Sequence, residues 1–375
     1  MDFNPTRLRH ARERRGLTKT ALARDAGISL RSLKEYELGD RLPGSETVER
    51  LAATLQTPLS FLGGSDLEAL PVGAVSFRAL TKTSASRRDM ALAVGRAVIE
   101  IDAWLSQEFT LPQPEVPRLD VGHDDPEGAA RLVRERWGLG EAPVSNVLHA
   151  LEAHGVRVFS LPVDIADIDG FSLWWQGTPY VLLNPRKSGE RGRFDAAHEL
   201  GHLVMHAEND TPRGREGENA ANRFAAALLM PRSSILAAGL QHATVDGILK
   251  NKSRWKVSAT ALTHRLRELG LLTEWEYSNR IVTLSRLGYR SSEPGGIPRE
   301  TSLLLAKTFA ALREEGLSGT SLASRLHLNP EDLHAYLFGL VPMVIEGEGK
   351  SSPSVRPQLT LHQGSANFTS PPHGT

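Results

Sequence analysis

The sequence predicts a multidomain chain, mainly α with a small β-sheet, and three observations predict it. Residues 5–62 carry five short apolar-periodic segments separated by capping and turn residues, the pattern of an all-α unit. Residues 126–290 mix such segments with short β-rich runs, the pattern of an α+β unit. Residues 300–343 return to short amphipathic segments, a small C-terminal helical region. The expected organisation is therefore an all-α unit at 1–64, a hinge, long helix and Pro-rich connector at 65–125, and an α+β unit at 126–290. The helical unit at 300–343 and a Ser/Pro/Gly-rich tail at 344–375, expected to be disordered, complete it.

In the first unit, Leu8 and Ala11 mark an amphipathic first helix. Thr18 is placed to cap a second helix over 19–26, and Ser29 a third over 30–37. Ser45 is read as the cap of a fourth helix over 46–55, and the run 59–62 closes the unit. Gly27 between the second and third segments is free to adopt the positive φ of a tight corner. Leu22, Ala23, Ile28, Leu33, Tyr36, Val48, Leu51 and Leu55 fall at core spacing.

Farther on, Val75–Arg78 reads as a hinge strand. A long helix over 86–108 follows, with Met90, Val94, Ala97, Ile101 and Leu105 on one face. The segment 111–117 is too proline-rich for a helix or an inner strand. Residues 156–159 read as a short strand, and 171–175 with 179–184 as a hairpin turning at Gln176-Gly177-Thr178. In 300–343, Leu317-Ser318, Leu322-Ala323, Leu326, Leu328 and Leu333 echo the spacing of the first unit. Its second helix, from Pro330, opens on Glu331 and Asp332 with no Lys or Arg, which suits docking or dimerisation better than contact with phosphates.

Bulk composition narrows the chemistry. The formal net charge is zero, so any nucleic-acid site must be local. There is no cysteine, which excludes disulfides, cysteine zinc sites and thiol catalysis and leaves metal binding to His and carboxylates. No apolar signal core and no apolar run of membrane-spanning length are present, so no membrane partner is expected and the location is read as cytoplasmic.

The sharpest feature is His198-Glu199-Leu200-Gly201-His202, followed by Glu218 and Asn222. Residues four apart lie on one helix face, so His198 and His202 can grip one ion. Glu199 lies about 100° round that helix, close enough to hold a water molecule at the ion as general base. Glu218 supplies a third ligand from a second helix, and Asn222, one turn later, can orient a ligating imidazole. Two His and one Glu with an open position form the ligand set of a hydrolytic Zn2+ site, one per chain; the same ligand types accept Mn2+. Hydrolysis also needs a donor for the tetrahedral intermediate, and His206, His264 and Tyr180 are the candidates. Gly201 would let a neighbouring segment approach the motif helix closely.

Residues 5–62 resemble the XRE family of helix-turn-helix DNA-binding domains, on Leu17-Thr18, Leu22-Ala23, Ala26-Gly27-Ile28-Ser29, Leu33, Glu37-Leu38-Gly39, Pro43 and Leu51-Ala52. The resemblance implies that the third helix lies in a major groove. DNA contacts would then come from Ser29, Arg31, Ser32 and Lys34, with Lys19 on the backbone and Glu35 opposing phosphate. It also implies a homodimer. Residues of roughly 75–275 resemble the ImmA/IrrE metallo-endopeptidases, which are zincin-like. The resemblance rests on Asn184-Pro185, Arg193-Phe194, Ala197 to His202, His206, Glu218, Ala221-Asn222, Phe224 to Ala226, Leu228 to Pro231, Val257-Ser258 and Arg265-Leu266. It implies His198, His202 and Glu218 as ligands, Glu199 as base, and a transcriptional repressor as protein substrate. Asp195 departs from the family pattern, adds negative charge near the site and is read as a cap; Ala220 is a second departure. The alternative reading is an XRE-type transcriptional regulator whose peptidase-like domain senses metal, peptide or small molecule without turnover.

Overall fold

The computed structural model describes residues 3–68, 70, 84–119, 125–162, 165, 168–206, 214–290 and 292–337. The expected hinge strand at 75–78 and the tail at 344–375 lie outside them.

Five helices form the first unit: α1 (Pro5–Arg14), α2 (Lys19–Asp25), α3 (Leu30–Leu38), α4 (Ser45–Thr54) and α5 (Leu59–Leu62). Thr18 and Ser29 cap α2 and α3 by accepting from the amides of Ala21 and Ser32, and Gly27 turns the corner at φ +64°. Ser45 is not the cap of α4: that position is Gly44, which offers no side-chain acceptor, and Ser45 is the first helical residue. Leu8, Leu22, Leu33, Leu51 and Leu55 are fully buried in one core.

The 24-residue helix α6 (Ala85–Glu108) is the spine of the molecule. Met90, Val94, Ala97, Ile101 and Leu105 are buried as their spacing predicts. One flank of α6 takes α1: Arg7 holds Glu100 through two hydrogen bonds of 2.9 and 3.1 Å, and His10 Nε2 lies 2.9 Å from the carbonyl of Ala93. Another flank covers the sheet, so the helix that connects the units in sequence also belongs to the core beneath the site.

Among the described residues the sheet has three strands, β1 (Arg157–Ser160), β2 (Gly170–Trp175) and β3 (Thr178–Leu183), in the order β1-β3-β2. β1 is parallel and β2 antiparallel to β3. The hairpin turn is tighter than expected. Gln176 and Gly177 both take positive φ, a two-residue loop whose twist matches its strands, and Thr178 already belongs to β3. Alternation splits the sheet between two cores. Val158, Val181 and Leu183 face the helices that carry the motif, whereas Phe159, Phe171, Leu173, Tyr180 and Leu182 face α6.

Around the first face lie α7 (Pro126–Arg136), α8 (Val147–Ala153), α9 (Gly189–Met205), α10 (Arg215–Leu229), α11 (Arg232–Ala237), α12 (Val245–Trp255), α13 (Ala259–Glu268) and α14 (Glu274–Arg286). The last three helices among the described residues, α15 (Leu303–Glu314), α16 (Gly319–Arg325) and α17 (Pro330–Leu337), pack their apolar residues into the α6 core.

The helical turn of the first unit recurs in these last helices. Gly16, Leu17, Leu22, Ala23, Leu33 and Tyr36 find counterparts in Gly316, Leu317, Leu322, Ala323, Leu333 and Tyr336. The Leu17 amide bonds the carbonyl of Arg12 and that of Leu317 the carbonyl of Leu312; Ile28 and Leu328 bond those of Ala23 and Ala323. The copy is docked on the original. Asp332 accepts from Arg15 at 2.6 and 2.8 Å and pairs with Arg14 at 3.1 Å, and Asn329 donates to the carbonyl of Gln56.

Candidate metal centre

The motif helix α9 starts at Ser188, whose hydroxyl accepts from the Arg191 amide. Asp195 is therefore not a cap. It sits inside the helix, paired with Arg191 at 3.0 Å. Burial pushes the Asp195 carboxyl up to about 7; Arg191 opposes this, and the charges of Asp169 and Glu199 reinforce it.

The helix is enclosed because its apolar stripe meets α10 on one side and the sheet on the other. A Cβ on Gly201 would stand 3.0 Å from the ring of Phe224, so the missing side chain lets α9 and α10 cross closely. That crossing brings Glu218 to the two histidines. The candidate ligand atoms of His198, His202 and Glu218 all lie within 4.8 Å of one another. Nε2 of His198 and Nε2 of His202 are 3.1 Å apart, and each faces a Glu218 oxygen at 3.4 or 3.5 Å.

These groups fit a metal ion. Nδ1 of His198 is 3.0 Å from Oδ1 of Asn222, an oxygen that can only accept. The His198 proton therefore sits on Nδ1 and the lone pair of Nε2 points at the cluster. Burial opposes charge on Glu218, but contact with His198 and His202 in their protonated form outweighs it and holds its carboxyl well below the usual range. With both imidazoles neutral, two ring nitrogens and one carboxylate converge as a receptor for a divalent ion.

Nδ1 of His206 lies 2.8 Å from Nδ1 of His202, the nitrogen opposite the one that faces Glu218. Tyr180 lies elsewhere: its hydroxyl donates to Asp102 at 2.8 Å on the α6 face of the sheet. His264 meets the hydroxyl of Tyr277 at 3.0 Å between α13 and α14.

Glu199 is buried, and its Oε2 accepts from the hydroxyl of Ser172 at 2.7 Å. Sequence reasoning missed Ser172. Its signal was a small polar residue inside the apolar run Phe171–Trp175, which pays for its burial only if it finds a partner. On the same face, a Cβ on Gly170 would stand 3.0 Å from the carbonyl of Leu182, so the glycine serves the close pairing of β2 with β3.

The expected DNA contacts sit on the exposed side of the first unit. Arg31 is 90% exposed at the side chain and bonds Glu35 at 2.8 Å, so the carboxylate expected to oppose phosphate is already paired. Ser29 and Ser32 share a hydroxyl contact of 2.8 Å at the start of α3, and Lys34 is exposed. Lys19 is engaged: its ammonium lies 3.1 Å from Glu37, a buried carboxylate also held by Arg12 at 2.5 Å.

Residues 8–62 match the helix-turn-helix family model, and residues 151–267 match that of the IrrE N-terminal-like domain. No curated protein matches the chain.

Proposed function

We propose that this chain, which joins a helix-turn-helix domain to an IrrE N-terminal-like domain in the ImmA/IrrE architecture, is a DNA-binding regulatory zinc metalloprotease that cleaves a transcriptional repressor or related regulator. The observation that carries the reading is the convergence of His198, His202 and Glu218 beside the Ser172-bonded carboxylate of Glu199.

A zinc ion held by those three groups supplies Lewis acidity toward a peptide carbonyl. Glu199 takes the proton of the attacking water and passes it to the leaving amine nitrogen. The Ser172 hydroxyl holds one oxygen of that carboxylate and so fixes its orientation. Asn222 and His206 hold the outer nitrogens of the two histidines, so neither ring needs to turn when an ion binds. β2 forms an edge of the sheet among the described residues, and its outer edge offers backbone groups to an extended peptide. Ser29, Arg31, Ser32 and Lys34 meet DNA, and Lys19 orders the domain through Glu37.

A second reading is a transcriptional regulator in which the same site binds metal, peptide or small molecule without turnover. The Arg7–Glu100 and His10–Ala93 contacts favour it, because they mount the DNA-binding unit on the helix that floors the site. Elemental analysis tests the shared premise. About one zinc per chain is expected in the wild type and far less in Glu218→Ala. Glu199→Gln separates the two readings: it is expected to keep zinc and lose repressor cleavage, while regulation that survives in Glu199→Gln cells favours the second.

A further inference from the structure

Beyond Ser172, the face of β2 that looks toward α9 carries Trp174. Its indole nitrogen donates to the carbonyl of Leu203 at 3.0 Å, one residue past His202, so the ring is pinned at the C-terminal mouth of the motif helix. The guanidinium of Arg118 lies over that ring, 3.8 Å from its centroid. The backbone holds it there, since the Leu119 amide bonds the carbonyl of Val204 at 2.9 Å.

Arg118 is exposed and, among the described residues, has no carboxylate partner. Arg223, Arg267 and Arg191 on the surface of this domain are by contrast paired, with Glu268, Glu274 and Asp195. A guanidinium stacked flat on an indole keeps its N–H edge directed outward, and that fork fits a carboxylate in two parallel bonds. Because Arg118 covers one face of Trp174, an apolar side chain finds less ring there than a lone tryptophan would offer.

We propose that Arg118, stacked on Trp174, is a subsite for an acidic side chain of the peptide substrate; the inference rests on the peptidase reading of the metal centre. A peptide extended along the open edge of β2 presents alternate side chains to one face. If one side chain lies opposite Ser172 and Glu199, the side chain two residues away lies over Trp174 and Arg118. The substrate class is then a segment with Asp or Glu two residues from the position opposite the general base.

The test uses the full chain loaded with zinc and a pool of synthetic decapeptides in which each position samples Asp, Glu, Lys, Arg, Leu and Ala. Wild-type cleavage is expected to be enriched about fivefold for Asp or Glu at one fixed position near the scissile bond, the scale of an exposed bidentate pair. Arg118→Ala is expected to lose the enrichment through KM, and Arg118→Glu to transfer it to Lys and Arg. Cleavage without acidic preference, or with the same preference in Arg118→Ala, overturns the subsite and leaves the peptidase reading standing. A pool that the wild type does not cleave and that zinc-loaded Glu199→Gln does not retain overturns both.

Discussion

The two helix-turn-helix frames of this chain share a backbone and differ in what their second helix does. In the first, α3 opens on Arg31 and Ser32, and Arg31 is exposed. In the second, α17 opens on Glu331 and Asp332, and Asp332 is buried against Arg14 and Arg15 of the first unit. The frame comes from a few shared leucines and capping groups, which set helix lengths and the corner. Partner choice comes from the charge at the start of the second helix. Where the first frame has Arg31 and Ser32, the second has two acids, and Asp332 meets the arginines of the first unit. The comparison also shows where the C-terminal helices are engaged: their inner residues complete the α6 core, and their polar start closes onto α1.

The strongest way to break this relation is Asp332→Ala. It strands the nearly fully buried guanidinium of Arg14, and a loss of about 3 kcal/mol is expected in denaturant unfolding. Replacing Arg14 by Met in the same background should restore part of it. No loss in Asp332→Ala would show that the docking of α17 does not depend on this pair.

His10 sharpens the contrast, since its counterpart in the copy is Ala310. Burial, reinforced by the charges of Arg14, Arg7 and Arg96 and opposed by the bond to Ala93, lowers the His10 pKa to about 3. The folded state therefore resists protonation while the unfolded chain takes up a proton below about 6.5. Its contribution to stability is complete above that pH and drains away as pH falls toward 3, by up to about 1.4 kcal/mol per pH unit. Thermal unfolding between pH 7 and 4 is expected to be less steep in His10→Gln than in the wild type. Equal slopes would remove His10 from the account.

The corner residue gives a smaller effect. Gly27 and His327 both take positive φ, at 64° and 53°, and only the glycine does so without strain. Gly27→Ala is expected to cost about 1 kcal/mol and His327→Gly to stabilise by less than that. Opposite signs in the two unfolding midpoints would confirm that the frames share a corner.

The smallest effect on stability is expected from Arg31→Ala, whose side chain is 90% exposed in its pair with Glu35. Retention on duplex DNA at low salt should nevertheless fall, while Glu331→Ala should leave it unchanged. Equal retention in Arg31→Ala would move the DNA contact away from the start of α3.

What the sequence determined by itself was local. The helix period places His198 and His202 on one face, and Ser29 and Gly27 punctuate α3, because capping, backbone sterics and periodicity act over a single turn. Glu218 and Asn222 were legible as a pair one turn apart, although their distance from the histidines was not. The tertiary structure alone decided which groups met across long separations. The Ser172 hydroxyl reached Glu199, Lys19 and Arg12 closed on Glu37, Tyr180 turned away to Asp102, and Asp332 reached Arg14 and Arg15. Each of these contacts depends on how helices and sheet faces cross. That crossing is set by the shapes of whole cores, as where Gly201 admits Phe224, and not by any pattern within one segment.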